Sequence, residues 1–101
     1  MEFAYIVRPA FDRAFLARAT QDEREVLRDH GEWLEARYAD GRVVFAGRCN
    51  DGPFGLIVLD VENEVEARRL MEQDPSISAG AQRADLYPFE TFLARAHGPQ
   101  D

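Results

Sequence analysis

Apolar residues of the first extended stretch fall on both of its faces. In "EFAYIVR", residues 2 to 8, Phe3, Tyr5 and Val7 share one face while Ala4 and Ile6 share the other. That alternation predicts a strand with apolar side chains on both sides, ended by Pro9, which cannot donate in a ladder. Residues 10 to 19, "AFDRAFLARA", read as a connection anchored by Phe11 and Phe15. The spacing then becomes helical. Val26, Leu27, Trp33, Leu34 and Tyr38 line one side, with Arg24, Glu25, Arg28, Asp29, Glu32 and Glu35 on the other. Thr20 with Glu23 forms a capping-box signature at its start, and Asp40-Gly41 stops it.

Two β-branched runs follow, "RVVFAG" (42–47) and "LIVLDV" (56–61), separated by the turn-rich "RCNDGPFG". Asn63 and Glu66 signal the start of a second helix over about residues 64 to 73, with Val65, Ala67, Leu70 and Met71 on its apolar side. "DPSISAG" breaks that pattern, and residues 82 to 89, "QRADLYPF", form a fourth strand. The order β-α-β-β-α-β predicts an α+β, ferredoxin-like fold with a four-stranded antiparallel sheet. Two helices cover one sheet face. The other face would leave apolar side chains in water, so a second copy packed sheet to sheet is expected, a homodimer. The domain is expected to span residues 1–92, with 93–101 a loose tail.

Composition narrows the chemistry. The 101 residues suffice for one core, and 46% hydrophobic content is that of a globular domain. A net charge of −7 argues against nucleic-acid or anionic-membrane partners. The start "MEFAYIVRP" lacks the pattern of a signal peptide, no run is long enough to span a membrane, and a cytoplasmic setting is expected. All twelve basic residues are arginine, which excludes lysine Schiff-base chemistry. One cysteine and two histidines cannot form a cysteine-rich zinc site, and no GxGxxG or Walker-type loop is present, so neither metal nor cofactor is expected. Ser76 and Ser78 lack a GxSxG context. Acid–base chemistry by histidine and carboxylate remains.

His30 is the residue that stands out, because it shares the inward spacing of Val26, Leu27, Trp33 and Leu34. It is either a core histidine satisfied by a backbone carbonyl or a partly desolvated general acid–base. Asp74 is the natural partner. In Asp-Pro it is equally a helix cap, and one carboxylate can cap and orient a histidine through different oxygens. Arg8, at the end of the first strand, is a candidate for binding a substrate carboxylate or phenolate, or a plain surface residue. Gly47 either admits a ligand to the backbone or relieves crowding in its strand. Tyr5 and Trp33 read as core, Cys49 as an incidental loop thiol, and His97 lies in the tail.

The element order, His30 in the first helix, "DGRVVFAG", "EVEARRLMEQDP" and the closing "LYPF" together resemble the YCII-related (YciI-like) family over about residues 1 to 92. That resemblance implies a dimeric α+β barrel and a histidine–aspartate pair in a pocket, at His30 and Asp74. It also implies lyase-, dehydrochlorinase- or isomerase-like proton transfer on a small phenolic, lactone or carboxylate substrate. The chain departs from the family at Arg48, where proline is common, and at Ser76, where a bulky apolar residue is common. The alternative is a non-catalytic ligand-binding or interaction module on the same fold. A cavity beside His30 favours the enzyme, and a sealed His30 favours the module.

Overall fold

A computed structural model describes residues 1–9 and 21–95. The connection over 10–19, the Thr20–Glu23 cap and His97 with its tail lie outside the described side chains. The elements are β1 (Glu2–Pro9), α1 (Gln21–Ala39), β2 (Val43–Arg48), β3 (Gly55–Asp60), α2 (Glu64–Gln73), α3 (Pro75–Ser78) and β4 (Gln82–Phe89). The expected α+β order is present, with the short α3 added after the second helix.

Local signals act where the sequence places them. Asn63 accepts a hydrogen bond from the Glu66 amide at 2.9 Å and opens α2. Gly41 takes φ +84° at the end of α1. There its amide reaches Tyr38 O at 3.1 Å and the Arg42 amide reaches Arg37 O at 2.9 Å, so a left-handed glycine satisfies the last carbonyls. Gly80, at φ +78°, closes α3 the same way through Gly80 to Ile77 and Ala81 to Ser76.

The sheet order is β2-β3-β1-β4, antiparallel throughout. Phe3, Tyr5 and Val7 of β1 stand opposite Leu59, Ile57 and Gly55 of β3, so these odd-numbered residues share the helix-covered face. There they join Val43, Val61, Ala67, Leu70 and Met71 in the core, with Trp33, Leu34 and Leu86 packed against it. The other face centres on Ala4 and Val58, themselves only 2% and 0% exposed, between Phe45 on one side and Tyr87 on the other. Those two aromatics are 41% and 49% exposed.

One irregularity in β2 has wide consequences. Val43 pairs with Leu59 but Phe45 pairs with Val58, so a bulge falls between them. A strand's side chains alternate, and one extra residue reverses which face every later side chain takes. Beyond the bulge Phe45 and Gly47 belong to the open face, while Ala46 and Arg48 belong to the helix face. Arg48 and Gly55, expected in the loop, form the last pair of this hairpin.

Gly55 is the glycine where an added side chain would be crowded. A Cβ there would lie 3.0 Å from Val7 Cγ2 and 3.3 Å from the Gly47 carbonyl oxygen, whereas one at Gly47 meets nothing within 4 Å. Crowding is thus not what calls for glycine at 47. Gly55→Ala should lower the unfolding free energy by about 1–3 kcal/mol through overpacking, while Gly47→Ala should leave it within about 1 kcal/mol of the parent. Urea denaturation of the two variants measures the contrast, and equal midpoints would contradict this account of the hairpin.

Candidate functional site

The helix-covered face carries a buried polar cluster built from four elements. Asp74 is completely buried at the junction of α2 and α3. Its Oδ1 accepts hydrogen bonds from the Ser76 amide at 3.0 Å and the Ser76 hydroxyl at 2.9 Å. The same oxygen lies 2.7 Å from Nδ1 of His30, delivered by α1. Its Oδ2 accepts the hydroxyl of Tyr5, which reaches up from β1 at 2.8 Å. Asp74 therefore both caps α3 and holds His30, as the sequence suggested. The division of labour differs: cap and histidine share one oxygen, and Tyr5 takes the other.

Two of these partners escaped the sequence reading. Tyr5 has the alternation of a core residue, and its ring is one, fully buried beside Ile57 and Leu59. Only its para position distinguishes it from phenylalanine, and nothing local says where that hydroxyl ends. Ser76 could have been found, because the residue two after an Asx cap routinely donates its amide.

The electrostatics follow from burial and donors. Burial alone would push the Asp74 carboxyl up. The hydrogen bond and charge of His30, with the hydroxyls of Tyr5 and Ser76, more than offset it and hold the group below its ordinary range. The Tyr5 phenol is driven far upward, first by burial and then by the adjacent carboxylate, so it remains a proton donor. A carboxylate at Asp74 requires the hydrogen to sit on His30 Nδ1. Nδ1–H points to Asp74, with the Ser76 hydroxyl oxygen 3.3 Å away as a weaker second acceptor. In the neutral form of the ring, Nε2 is then the nitrogen that keeps its lone pair.

The cluster adjoins a cavity of about 810 Å³. His30 is 16% exposed and lines it, whereas Asp74 and Ser76 stand behind the histidine. The walls are largely apolar, from Val7, Leu27, Leu34, Ala46, Phe54 and Ile57. Polar groups are few: Gln82, Asn50, Cys49 and Arg48. An apolar cleft with a few convergent polar groups and a perturbed carboxylate is the usual form of a small-molecule site.

Of the other sequence candidates, Gly47 borders the cavity through its backbone. Arg8 does not. Alternation puts its side chain on the open sheet face, opposite to Val7, where it pairs with Asp85 at 3.3 Å and both groups are exposed. Its strand position was right for a binding residue but its parity was not. Among the described residues, no three His, Cys, Asp or Glu side chains converge as metal ligands, and no helix is long and apolar enough to cross a membrane.

Comparison with known proteins adds two findings. The family model of the YCII-related domain matches residues 1–90. Among solved structures, the chain is similar to the 5-chloro-2-hydroxyhydroquinone dehydrochlorinase of Burkholderia phenoliruptrix AC1100, in complex with 2,5-dihydroxybenzoquinone. The TM-score is 0.64 at 18% identity, over 89% of this chain and 94% of that one. The likeness establishes a shared α+β fold. No curated protein matches the sequence significantly.

The buried cluster predicts an acid-sensitive stability. Asp74 titrates lower when folded than when unfolded, so its contribution is complete above the ordinary carboxyl pKa of about 3.9. It is lost as the pH falls through the lowered folded value. At neutral pH, Asp74→Asn should cost about 2–4 kcal/mol and Tyr5→Phe about 1–3 kcal/mol, since each leaves buried partners unsatisfied. Urea midpoints from neutral pH down to about pH 2 should fall more steeply for the parent than for Asp74→Asn. Parallel acid profiles would mean that the carboxylate is not the group responsible.

Proposed function

The chain belongs to the YCII-related domain family, and from that premise we propose that it is a small-molecule enzyme using His30 as general acid–base and Asp74 as its orienting carboxylate. The observation that carries this reading is that one histidine joins two surroundings: its Nδ1 is held by a buried carboxylate, and the residue lines an 810 Å³ cavity. A histidine with only a structural role needs no cavity on its free side. The cavity supports the enzyme over the binding module.

The proposed step is a proton shuttle. His30 Nε2 accepts a proton from a hydroxyl or an activated C–H of the substrate, and Asp74 stabilises the imidazolium without itself being protonated. The same proton then goes to another atom of the substrate or to its leaving group, which restores the neutral ring. Tautomerisation and elimination of HX both balance this way without an oxidant or a cofactor. The substrate is a small oxygenated molecule, phenolic, lactone or carboxylate. The similar structure acts on a chlorinated hydroxyhydroquinone by its name, so that compound is the first to try.

Chloride release from 5-chloro-2-hydroxyhydroquinone, and absorbance changes with other hydroxylated rings and lactones, test for turnover. His30→Asn should abolish it, a loss of about 10³-fold or more. Asp74→Asn should reduce kcat by about 10²- to 10⁴-fold and move the ring hydrogen between nitrogens, visible in the ¹⁵N shifts of His30. Activity that survives His30→Asn would overturn the mechanism.

The working form we propose is a homodimer joined through the open sheet face. Exposed Phe45, Tyr87 and Phe89 there support it, because flanking aromatics around a buried apolar centre mark an interface. Sedimentation should give twice the mass of one chain, and Tyr87→Glu should shift it toward one. A monomeric parent at micromolar concentration would refute the assembly.

A further inference from the structure

The cavity beside His30 is polarised by one residue that the acid–base mechanism does not use. We infer that Arg48 makes the site selective for a small organic oxyanion, its guanidinium anchoring a carboxylate or an ionised enol or phenol while the ring lies toward His30. The inference rests on the proposed site and names its substrate class.

Register is the first support. The β2 bulge reverses alternation between Val43 and Phe45, which turns Arg48 onto the helix face, where it pairs with Gly55 and stands on the same side as Val7. A regular strand would have pointed it to the open face, away from His30. Re-aiming a side chain is what bulges do beside binding sites. Gly55 opposite carries no side chain, so that part of the face beside Arg48 stays clear.

Charge is the second support. Among the described residues no Asp or Glu lines the cavity, and Arg48 is the one residue of fixed charge that does. Three other arginines are engaged, Arg8 with Asp85, Arg37 with Asp40 and Arg42 with Glu66, and none of these lines the cavity. Arg48 has no ion pair among the described residues. An unpaired guanidinium offers two parallel N–H groups, the fork that a delocalised oxyanion fits. In a protein of net charge −7 a substrate anion meets overall repulsion, so a local cation at the site has a definite task.

Gln82 is the third. Its Oε1 is the one buried side-chain oxygen or nitrogen of the described residues without a hydrogen-bond partner, and Gln82 lines the same cavity. A buried acceptor left alone is costly. A ligand hydroxyl would satisfy it. A hydroxylated oxyanion thus matches both unfilled polar positions.

The test is a ¹⁵N–¹H NMR titration of the full chain with matched probes. 4-Hydroxybenzoate against 4-hydroxybenzamide isolates a carboxylate, and 2,5-dihydroxybenzoquinone against its dimethyl ether isolates an ionised enol. At least one anion should bind about tenfold or more tighter than its neutral partner. Arg48→Gln should erase that ratio by weakening the anion alone, and Arg48→Lys should keep part of it. The pair that discriminates identifies the kind of oxyanion. Equal binding within both pairs, no binding of either anion at millimolar concentration, or a ratio that survives Arg48→Gln overturns the inference. His30→Asn separates the two readings. A ratio kept there, in a protein that turns nothing over, upholds Arg48 while the acid–base role falls; a ratio lost there but kept in Arg48→Gln assigns the selectivity to His30 instead.

Discussion

A carboxylate with no access to water must be surrounded by donors, and in this protein those donors come from elements far apart in the chain. Asp74 is bound by Tyr5 from the first strand, His30 from the long helix and Ser76 from the turn that follows it. Each alone is an ordinary hydrogen bond. Together they tie β1, α1 and α3 to one point, because leaving any donor out strands a buried charge. The covered face of the sheet is therefore organised around a polar centre set within an apolar core.

The same constraint prepares the chemistry. A buried anion held by Tyr5 and Ser76 cannot swing away, so the imidazole is fixed in position and in tautomer before any ligand arrives. In the proposed acid–base role, preorganisation of this kind would separate a reactive histidine from a merely solvated one. The cost is offset by packing elsewhere, in the apolar core that Phe3, Tyr5, Val7, Ile57 and Leu59 share. Val7 and Ile57 also line the cavity, with His30.

Membership in the YCII-related family accounts for the scaffold and for the expectation of a histidine–aspartate pair. It does not account for Arg48, which enters the cavity because one extra residue in β2 reverses the pleat. On the proposed reading, the hairpin that faces His30 sets the substrate, separately from the His30–Asp74 pair. The β2–β3 hairpin is suited to that, since its end residues border the cavity without taking part in the buried cluster.

Much was legible in the sequence because it depended on neighbours close in the chain. The periodicities of 2 and 3.6 placed the four strands and the two main helices. Asn63, Gly41 and the Asp-Pro pair marked helix ends through hydrogen bonds that span five residues or fewer. His30 declared itself by falling on an apolar stripe, and Asp74 by being the carboxylate nearest the helix that should lie beside it. Other features were settled only in three dimensions. The Tyr5 hydroxyl meets a residue 69 positions away, and local sequence carries no trace of that contact. The face of Arg8 follows from plain alternation in β1, but the face of Arg48 does not: a bulge is a property of the strand pair. Periodicity and capping are written into a chain a few residues at a time; parity and burial arise only when distant segments meet.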